Sequence, residues 1–320
     1  MNSSSPPQPN TAAPPAPRAR GVHLGRLDLT GERGLGLALT IPTIIAIFGV
    51  TLIPFINSLW LSLNRRDAGR PQMDAFVGLG NYVKLLQDSR FLSSMRITLA
   101  FSLTSVAIEL VLGVAIALVL NQQFKGRAFV RGLIILPWAL PSIVGAAMWQ
   151  WIYNADYGAL NALLTQLGII DSYQIWLAHP SSARMLVILA NVWKETPFTV
   201  LLVLAALQGI PVDLYEAVRV DGASAWRTFT AITLRLLLPV LMVIGFLQTL
   251  WGIQTFELIY IITGGGPASS TELLSLRIYM QTFRSLRFGY GAAMAYLTGL
   301  LVLIPAIFYI RGAYRSIVEY

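Results

Sequence analysis

LYEAVRVDGASAWRTFTAITLRLLLP, residues 214–239, is polar and charged, yet long apolar runs flank it on both sides. In its first half Leu214, Ala217 and Val218 share one helical face, while Glu216, Arg219 and Asp221 spread over the others, which is the pattern of a short surface helix. Pro211 suits the first turn and Gly222 suits the stop. A second short helix is predicted to follow, with Ser224 as its cap and Trp226, Phe229 and Ile232 as an apolar stripe before the chain re-enters lipid. The stretch therefore reads as helix, turn and helix displayed at a membrane surface. Two readings of it stand: an amphipathic connector resting on lipid headgroups, or an element with a function of its own.

The flanking runs follow from composition. Hydrophobic residues make up 55% of the 320-residue chain and charged residues 12%, and the mean hydropathy is +0.64. Such a chain is too apolar for a water-soluble domain and reads as an all-α integral membrane protein. The apolar runs do not alternate as the strands of a membrane barrel would. Without cysteine there is no disulfide, thiolate metal site or thiol nucleophile. The net charge of +8 suits contact with an anionic lipid bilayer, and its scatter among loops argues against nucleic acid as a partner.

Six transmembrane helices are expected, over residues 35–63, 95–120, 132–153, 184–208, 236–262 and 289–311, each long enough to cross about 30 Å of hydrocarbon. Before them, residues 1–33 are rich in proline and small polar residues and read as a disordered tail. That tail lacks the apolar core of a cleavable signal peptide, so the first membrane helix is expected to be retained. Arg18, Arg20, Arg26 and Arg33, the 121–131 loop, the 214–239 stretch and the C-terminal Arg311 and Arg315 all fall on one side of six crossings, the cytoplasm. Both termini, including residues 316–320, are then cytoplasmic. The 154–183 loop has no Lys or Arg and agrees, whereas Arg65, Arg66, Arg70, Lys84 and Arg90 of the 64–94 loop run against the rule. Gly78, Gly80 and Asn81 in that loop and Gly264, Gly265, Gly266 and Pro267 in another suit either a docking surface or plain connectors.

Polar residues inside the spans are the candidate substrate pathway. Lys194 and Glu195 lie within the fourth span, where a central charge costs roughly 2.5–3.5 kcal/mol on insertion scales. Pro197 frees the carbonyl of Trp193, which can open the helix beside a cavity and adds Asn191 and Trp193 to the set. The alternative places the charges near a helix end or ties them to neighbouring helices. On the fifth span Gln248, Gly252 and Thr255 share a stripe at helical spacing, with Trp251 and Gln254 at its flank and Glu257 rotated away. Amides beside an indole suit a sugar, whose hydroxyls take the hydrogen bonds and whose apolar face stacks on the ring. Helix-to-helix hydrogen bonding explains the same glutamines without a ligand. Trp138, Trp149 and Trp151 belong either to an interfacial belt or to the cavity.

At EAVRVDGASAWRTFTAITLRLLLP the chain resembles the cytoplasmic loop motif of ABC importer permeases: Glu-Ala-Ala, three residues, Gly, then Ile-x-Leu-Pro. Glu216, Ala217, Gly222, Ala223, Phe229, Ile232 and Leu234 match in register, while Val218 replaces an alanine and Arg235 a proline. WKETPF, LQGIPVDLYEA and FELIYIITGGGP are similar to the carbohydrate branch. The resemblance implies a transmembrane domain over residues 34–315 whose cytoplasmic coupling helix lies between the fourth and fifth spans, within a loop at 211–235. It also implies four partners besides the sugar: a second homologous permease, two ABC ATPases and an extracytoplasmic solute-binding protein. Leu214, Glu216, Ala217, Asp221, Gly222, Ala223 and Phe229 would then couple the ATPases to the helices.

The chain itself is expected to be no enzyme. It has no G-x-x-x-x-G-K-[ST] phosphate loop, so ATP and Mg belong to partner chains and no cofactor to this one. His23 and His179 have no spaced metal partner, so no metal site is expected. A secondary transporter or channel working without an ATPase is the other function class, but it would need coupling-ion sites and usually an internal repeat, and none is evident.

Overall fold

The computed structural model describes residues 32–318; the tail expected over residues 1–33 lies outside them up to residue 31, as do residues 319 and 320. Two compact units divide the chain, residues 1–55 and residues 56–320. In the first, helix α1 (Glu32–Ile47) leads through a π-helical turn, Phe48–Leu52, into α2 (Ile53–Ser62), whose later turns belong to the second unit. Pro54 explains the widened turn, because it has no N–H to give to Val50 and its ring presses on that carbonyl. Leu39–Ser62 is apolar and long enough to cross a membrane.

After α2 the second unit continues with a two-stranded hairpin, β1 (Asn64–Arg65) and β2 (Ala75–Phe76), which pairs Asn64 with Phe76 and Arg65 with Ala75. Helix α3 (Gly80–Gln87) follows, and buried Asn81 donates from Nδ2 to the carbonyls of Ser62 (2.8 Å) and Asn64 (2.9 Å), tying the hairpin to it. Asn81 therefore does structural work in the 64–94 loop.

Helix α4 (Ser89–Asn121) is the longest described helix. Asp88 starts it: Oδ1 accepts from the N–H groups of Arg90 (2.9 Å) and Phe91 (3.3 Å), while Oδ2 accepts from Arg277 (2.9 Å) and Tyr290 (2.8 Å). Burial by itself would raise the Asp88 carboxyl, but the Tyr290 and Arg277 hydrogen bonds and the Arg277 charge outweigh it and hold the group below its ordinary value.

The span expected as one helix over 132–153 is two, α5 (Arg127–Ala139) and α6 (Ser142–Ile152), bent by 95°. Pro141 is the cause: it lacks an N–H and drives Leu140 into an extended conformation, φ −72° and ψ 140°. Helix α7 (Ala159–Gln166) lies in the following loop, packed around buried Asn161, whose Oδ1 accepts from the Gln174 N–H and from Trp176 Nε1. Helix α8 (Pro180–Gln208) then runs unbroken through Pro197, so the opening expected there does not occur.

The 214–239 stretch folds into α9 (Val212–Val220), α10 (Ala225–Thr228) and a π-helical turn, Phe229–Thr233, that feeds α11 (Leu234–Gln254). The span expected over 236–262 breaks after α11, at Thr255 and Phe256, and resumes as α12 (Glu257–Ile262). Hydroxyls take up carbonyls at this break: Thr255 Oγ1 donates to Trp251 O (3.1 Å) and Ser275 Oγ to Thr255 O. After α13 (Leu274–Tyr279) and another π-helical turn, α14 (Phe288–Val318) closes the chain. Among the described residues four helices are long and apolar enough to span a membrane, five if the bent α5–α6 pair counts as one, and α14 contributes a shorter apolar part, Phe288–Leu303.

Helices α4, α8 and α11 form the centre of the second unit. Gly113 on α4 meets the Thr199 side chain on α8, and Gly252 on α11 meets Ser102 on α4, so each glycine lets two backbones approach. Ala117, Leu120, Val203, Leu207, Leu237 and Ile244 fill one end of this packing; Phe101, Val187, Ala190, Ile259 and Leu276 fill the other.

Two outcomes test this architecture. A methyl group at Gly113 collides with Thr199, whereas one at Gly132 meets nothing within 4 Å. Gly113→Ala should therefore destabilise the solubilised protein by roughly 1–3 kcal/mol, and Gly132→Ala should be neutral or stabilising by up to about 1 kcal/mol; thermal melts in detergent compare them. The stabilisation from Asp88 should be present above about pH 4, its unfolded value, and fade as the pH falls through the lowered folded value. Asp88→Asn should remove that acid limb from a stability-against-pH profile.

Candidate functional site

A cavity of about 170 Å³ opens where α6, α8, α11 and α12 meet, and most of the residues that line it are polar. Eight of the nine candidate pathway residues line it: Asn191, Lys194 and Glu195 from α8, and Gln248, Trp251, Gly252, Gln254 and Thr255 from α11 and its end; Trp193 does not. Ser142 and Glu257 complete the polar wall. Glu257, expected to point away, reaches the cavity because the chain breaks at Thr255–Phe256 and α12 starts on a new axis.

Two of these polar groups bind the backbone of neighbouring helices. Lys194 lies mid-helix, and its Nζ donates to the Leu140 carbonyl at 3.1 Å, the carbonyl exposed by the 95° bend. A charge that is anomalous in the sequence thus satisfies the backbone of a broken neighbouring helix. Gln248 is buried, and its Nε2 donates to Glu195 O (3.1 Å) and Thr199 Oγ1 (3.3 Å), joining α11 to α8 while the residue also lines the cavity. Trp251 is 38% exposed and packs edge-on against Phe198 at 4.8 Å, and Phe198 stacks on Trp138 at 6.0 Å. Trp149 belongs to the core beside Tyr153 and Trp193, and Trp151 is exposed. None of Trp138, Trp149, Trp151 or Trp193 is among the residues lining this cavity.

Sequence reasoning passes over one residue behind the wall. Glu109, on α4, is 1% exposed, and its Oε1 accepts from Asn191 Nδ2 at 3.0 Å. The signal for it is present: it is the lone charge in the run from Ile97 to Leu120.

The helix–turn–helix forms a second candidate site. α9 carries Asp213 in its first turn and Arg219 in its last, complementing the helix dipole, and Gly222 takes φ +72° to stop it. Ser224 Oγ caps α10 through the Arg227 N–H at 3.3 Å. Glu216, Ala217, Asp221 and Gly222 lie at the surface, as does Leu214, and α9 buries no residue. Ala223 and Phe229 are half-buried on a groove of about 1010 Å³ between this element and α4, shared with Tyr215, Arg219 and Trp226. The hydroxyls of Tyr215 and Thr233 hydrogen-bond at 3.1 Å, which links α9 directly to the root of α11. Among the described residues no group of His, Cys, Asp and Glu is arranged to hold a metal ion.

The chain is similar to known proteins. The family described as "Binding-protein-dependent transport system inner membrane component" matches residues 109–317. The chain is 40% identical over 285 residues to the trehalose/maltose transport system permease protein MalF of Thermococcus litoralis, covering 89% of this chain and 95% of that protein. It is 36% identical over 280 residues to the trehalose transport system permease protein SugA of Mycobacterium tuberculosis, covering 88% and 89%. A chain in the crystal structure of a bacterial alginate ABC transporter, in complex with its alginate pentasaccharide-bound periplasmic protein, superposes with a TM-score of 0.76 at 24% identity, covering 88% of this chain and 95% of that one.

Lys194→Met keeps the length of the side chain and removes the donor to Leu140. It should cost roughly 1 kcal/mol, since the carbonyl losing its partner is part-buried, seen as a lower melting temperature in detergent. An unchanged melt would mean that the Leu140 carbonyl is satisfied in another way.

Proposed function

Because the chain belongs to the family of binding-protein-dependent transport system inner membrane components, we propose that it is a permease subunit of an ATP-driven sugar importer in the cell (inner) membrane, forming half of the translocation pathway. Its substrates are expected among sugars such as those named for its relatives, trehalose and maltose. One observation carries the reading: an indole-flanked cavity with mostly polar lining between the helices, with Asn191, Gln248, Gln254, Glu257 and Trp251 in its wall. Its volume of about 170 Å³ is below the roughly 300–1,000 Å³ of ordinary small-molecule sites, which suits one half of a path completed by a second homologous permease. The chain performs no bond chemistry.

In this reading the polypeptide crosses the membrane six times, with the bent α5–α6 pair and α14 each as one crossing, and both termini lie in the cytoplasm. α9 is the coupling helix. It docks in a cleft of one of two partner ATPases, which bind ATP and Mg, and the opposite end of the bundle receives an extracytoplasmic solute-binding protein. Two features support this role for α9. Among the described residues none of α9 is fully buried, and it displays Val212, Leu214 and Val220, a surface that a partner would cover. The Tyr215–Thr233 hydrogen bond gives a push on α9 a short route into α11, and α11 carries Gln248, Trp251 and Gln254 to the cavity. Closure of the ATPases would then rock the bundle between inward-open and outward-open states.

Purification of the tagged chain should bring ATPase subunits with it, and Glu216→Lys should weaken that association or leave ATP hydrolysis uncoupled from uptake. Trp251→Ala and Gln254→Ala should instead leave assembly intact and lower uptake, each by about tenfold if its side chain holds the sugar strongly. Sugar accumulation by the chain alone along an ion gradient, without ATPases, would overturn the importer reading in favour of a secondary transporter.

A further inference from the structure

The five cations of residues 64–94, which run against the positive-inside rule, belong to one surface at the end of the bundle remote from α9. α3 leads into α4 at Asp88, whereas Leu118 and Gln122, at and just past the far end of α4, line the groove beside α9. α3 packs inward through buried Asn81 and Leu85. On its opposite face Leu79, Val83 and Leu86, spaced i, i+4 and i+7, fall within about 60° of one another. Phe76, three residues before Leu79, extends this apolar surface and stacks at 5.7 Å on Trp60, in the last turn of α2. All five side chains are between 52% and 67% exposed. The stripe thus continues from the end of a helix long and apolar enough to cross a membrane, and a tryptophan at such an end marks the level of the lipid headgroups.

The charges around the stripe are a second, independent observation. Every acid of the segment is engaged within the fold: Asp67 Oδ1 accepts from the Gly69 N–H (3.0 Å), Asp74 accepts from the Asp67 N–H (3.0 Å) and pairs with Arg66 (3.5 Å), and Asp88 is held by Arg277 and Tyr290. Four of the cations are not. Arg65, Arg70, Lys84 and Arg90 are in no ion pair among the described residues. Lys84 stands about 100° from Val83 on the flank of α3, Arg90 lies in the first turn of α4, and Arg65 faces Ala75 across the hairpin, next to Phe76. An apolar helix face bordered by free basic side chains is the pattern of an element lying in the membrane interface on anionic lipid. We propose that residues 60–90 form such an anchor: the Leu79–Val83–Leu86 stripe and the Trp60–Phe76 pair enter the boundary of the acyl chains, while Arg65, Lys84 and Arg90 hold the phosphates of anionic phospholipid. The positive charges on this side then have a use that the topology rule does not count. The lipid contact stands on the geometry alone; its assignment to the outer leaflet rests on the orientation proposed above.

The test uses the complete transporter reconstituted in vesicles of phosphatidylcholine and phosphatidylglycerol. This chain has no cysteine, so Val83→Cys places a spin label at the centre of the stripe once cysteines of the partner chains are replaced. The label should meet dissolved oxygen and be shielded from a water-soluble nickel chelate, with or without the solute-binding protein. A label open to nickel would put the stripe in water, and one shielded from both reagents would put it under protein; either result overturns the proposal, as does shielding that appears only when the binding protein is added. Spin-labelled phosphatidylglycerol should associate with the transporter more than phosphatidylcholine does, and replacing Arg65, Lys84 and Arg90 together by Gln should lower that preference about fivefold or more, the attraction of at least one basic side chain near a charged surface. An unchanged preference would contradict the assignment of these cations. Should the triple variant assemble poorly, Lys84→Gln alone, at an exposed position, should still lower the preference, and no change there counts against the proposal equally. The leaflet is tested separately. Ala68→Cys, on the exposed turn of the hairpin, should react with a membrane-impermeant maleimide in intact spheroplasts; reaction only after lysis would overturn the outer leaflet and the proposed orientation while leaving the lipid contact in place.

Discussion

In a hydrocarbon environment a backbone polar group without a partner has no water to turn to, and the second unit of this protein is arranged around meeting that constraint. The bend at Pro141 frees the Leu140 carbonyl, and Lys194 answers it from α8. The break after α11 exposes carbonyls that Thr255 and Ser275 take up. Gln248 binds α11 to the backbone of α8, and Glu109 binds α4 to Asn191. Four helices are thereby tied through polar contacts at mid-bundle, and the cavity lies among those ties. The polar residues that make a pathway conceivable are the same ones that hold its walls in register.

This double use explains why the cavity is small and well defined. Gly113 and Gly252 bring α4, α8 and α11 close enough for short side chains to bridge them, and apolar packing at each end of the bundle holds the helices against that contact. The joint at the other extreme has the opposite character. α9 has no fully buried residue and is linked to the root of α11 by a hydroxyl pair, Tyr215 with Thr233. A well-packed core joined to a lightly held surface helix is consistent with the coupling role proposed for α9.

Much of this is legible in the sequence because local chemistry decides it. The cap at Ser224, the stop at Gly222 and the apolar flanks are enough to read the 214–239 stretch, and the cavity residues stand out as polar positions at helical spacing. The breaks are not legible to the same degree. Pro141 and Pro197 look alike in sequence, yet one bends a helix by 95° and the other is carried within an unbroken helix. The difference lies in tertiary support, since Lys194 stabilises the bend at Leu140. The break at Thr255–Phe256 has no proline or glycine to announce it, and hydroxyls from its own turn and from Ser275, twenty residues further on, satisfy it. Glu109 is visible as a lone charge but has no meaning until Asn191, 82 positions away, is found beside it.

The central claim is that the mid-bundle cavity is part of the path of a sugar. The most direct measurement is an electron cryomicroscopy structure of the assembled transporter, trapped with a non-hydrolysable ATP analogue and trehalose-loaded binding protein. The expected result is sugar density within hydrogen-bonding distance of Asn191 and Gln254, stacked against Trp251. A sugar enclosed elsewhere in the bundle, with these side chains closed on one another, would contradict it.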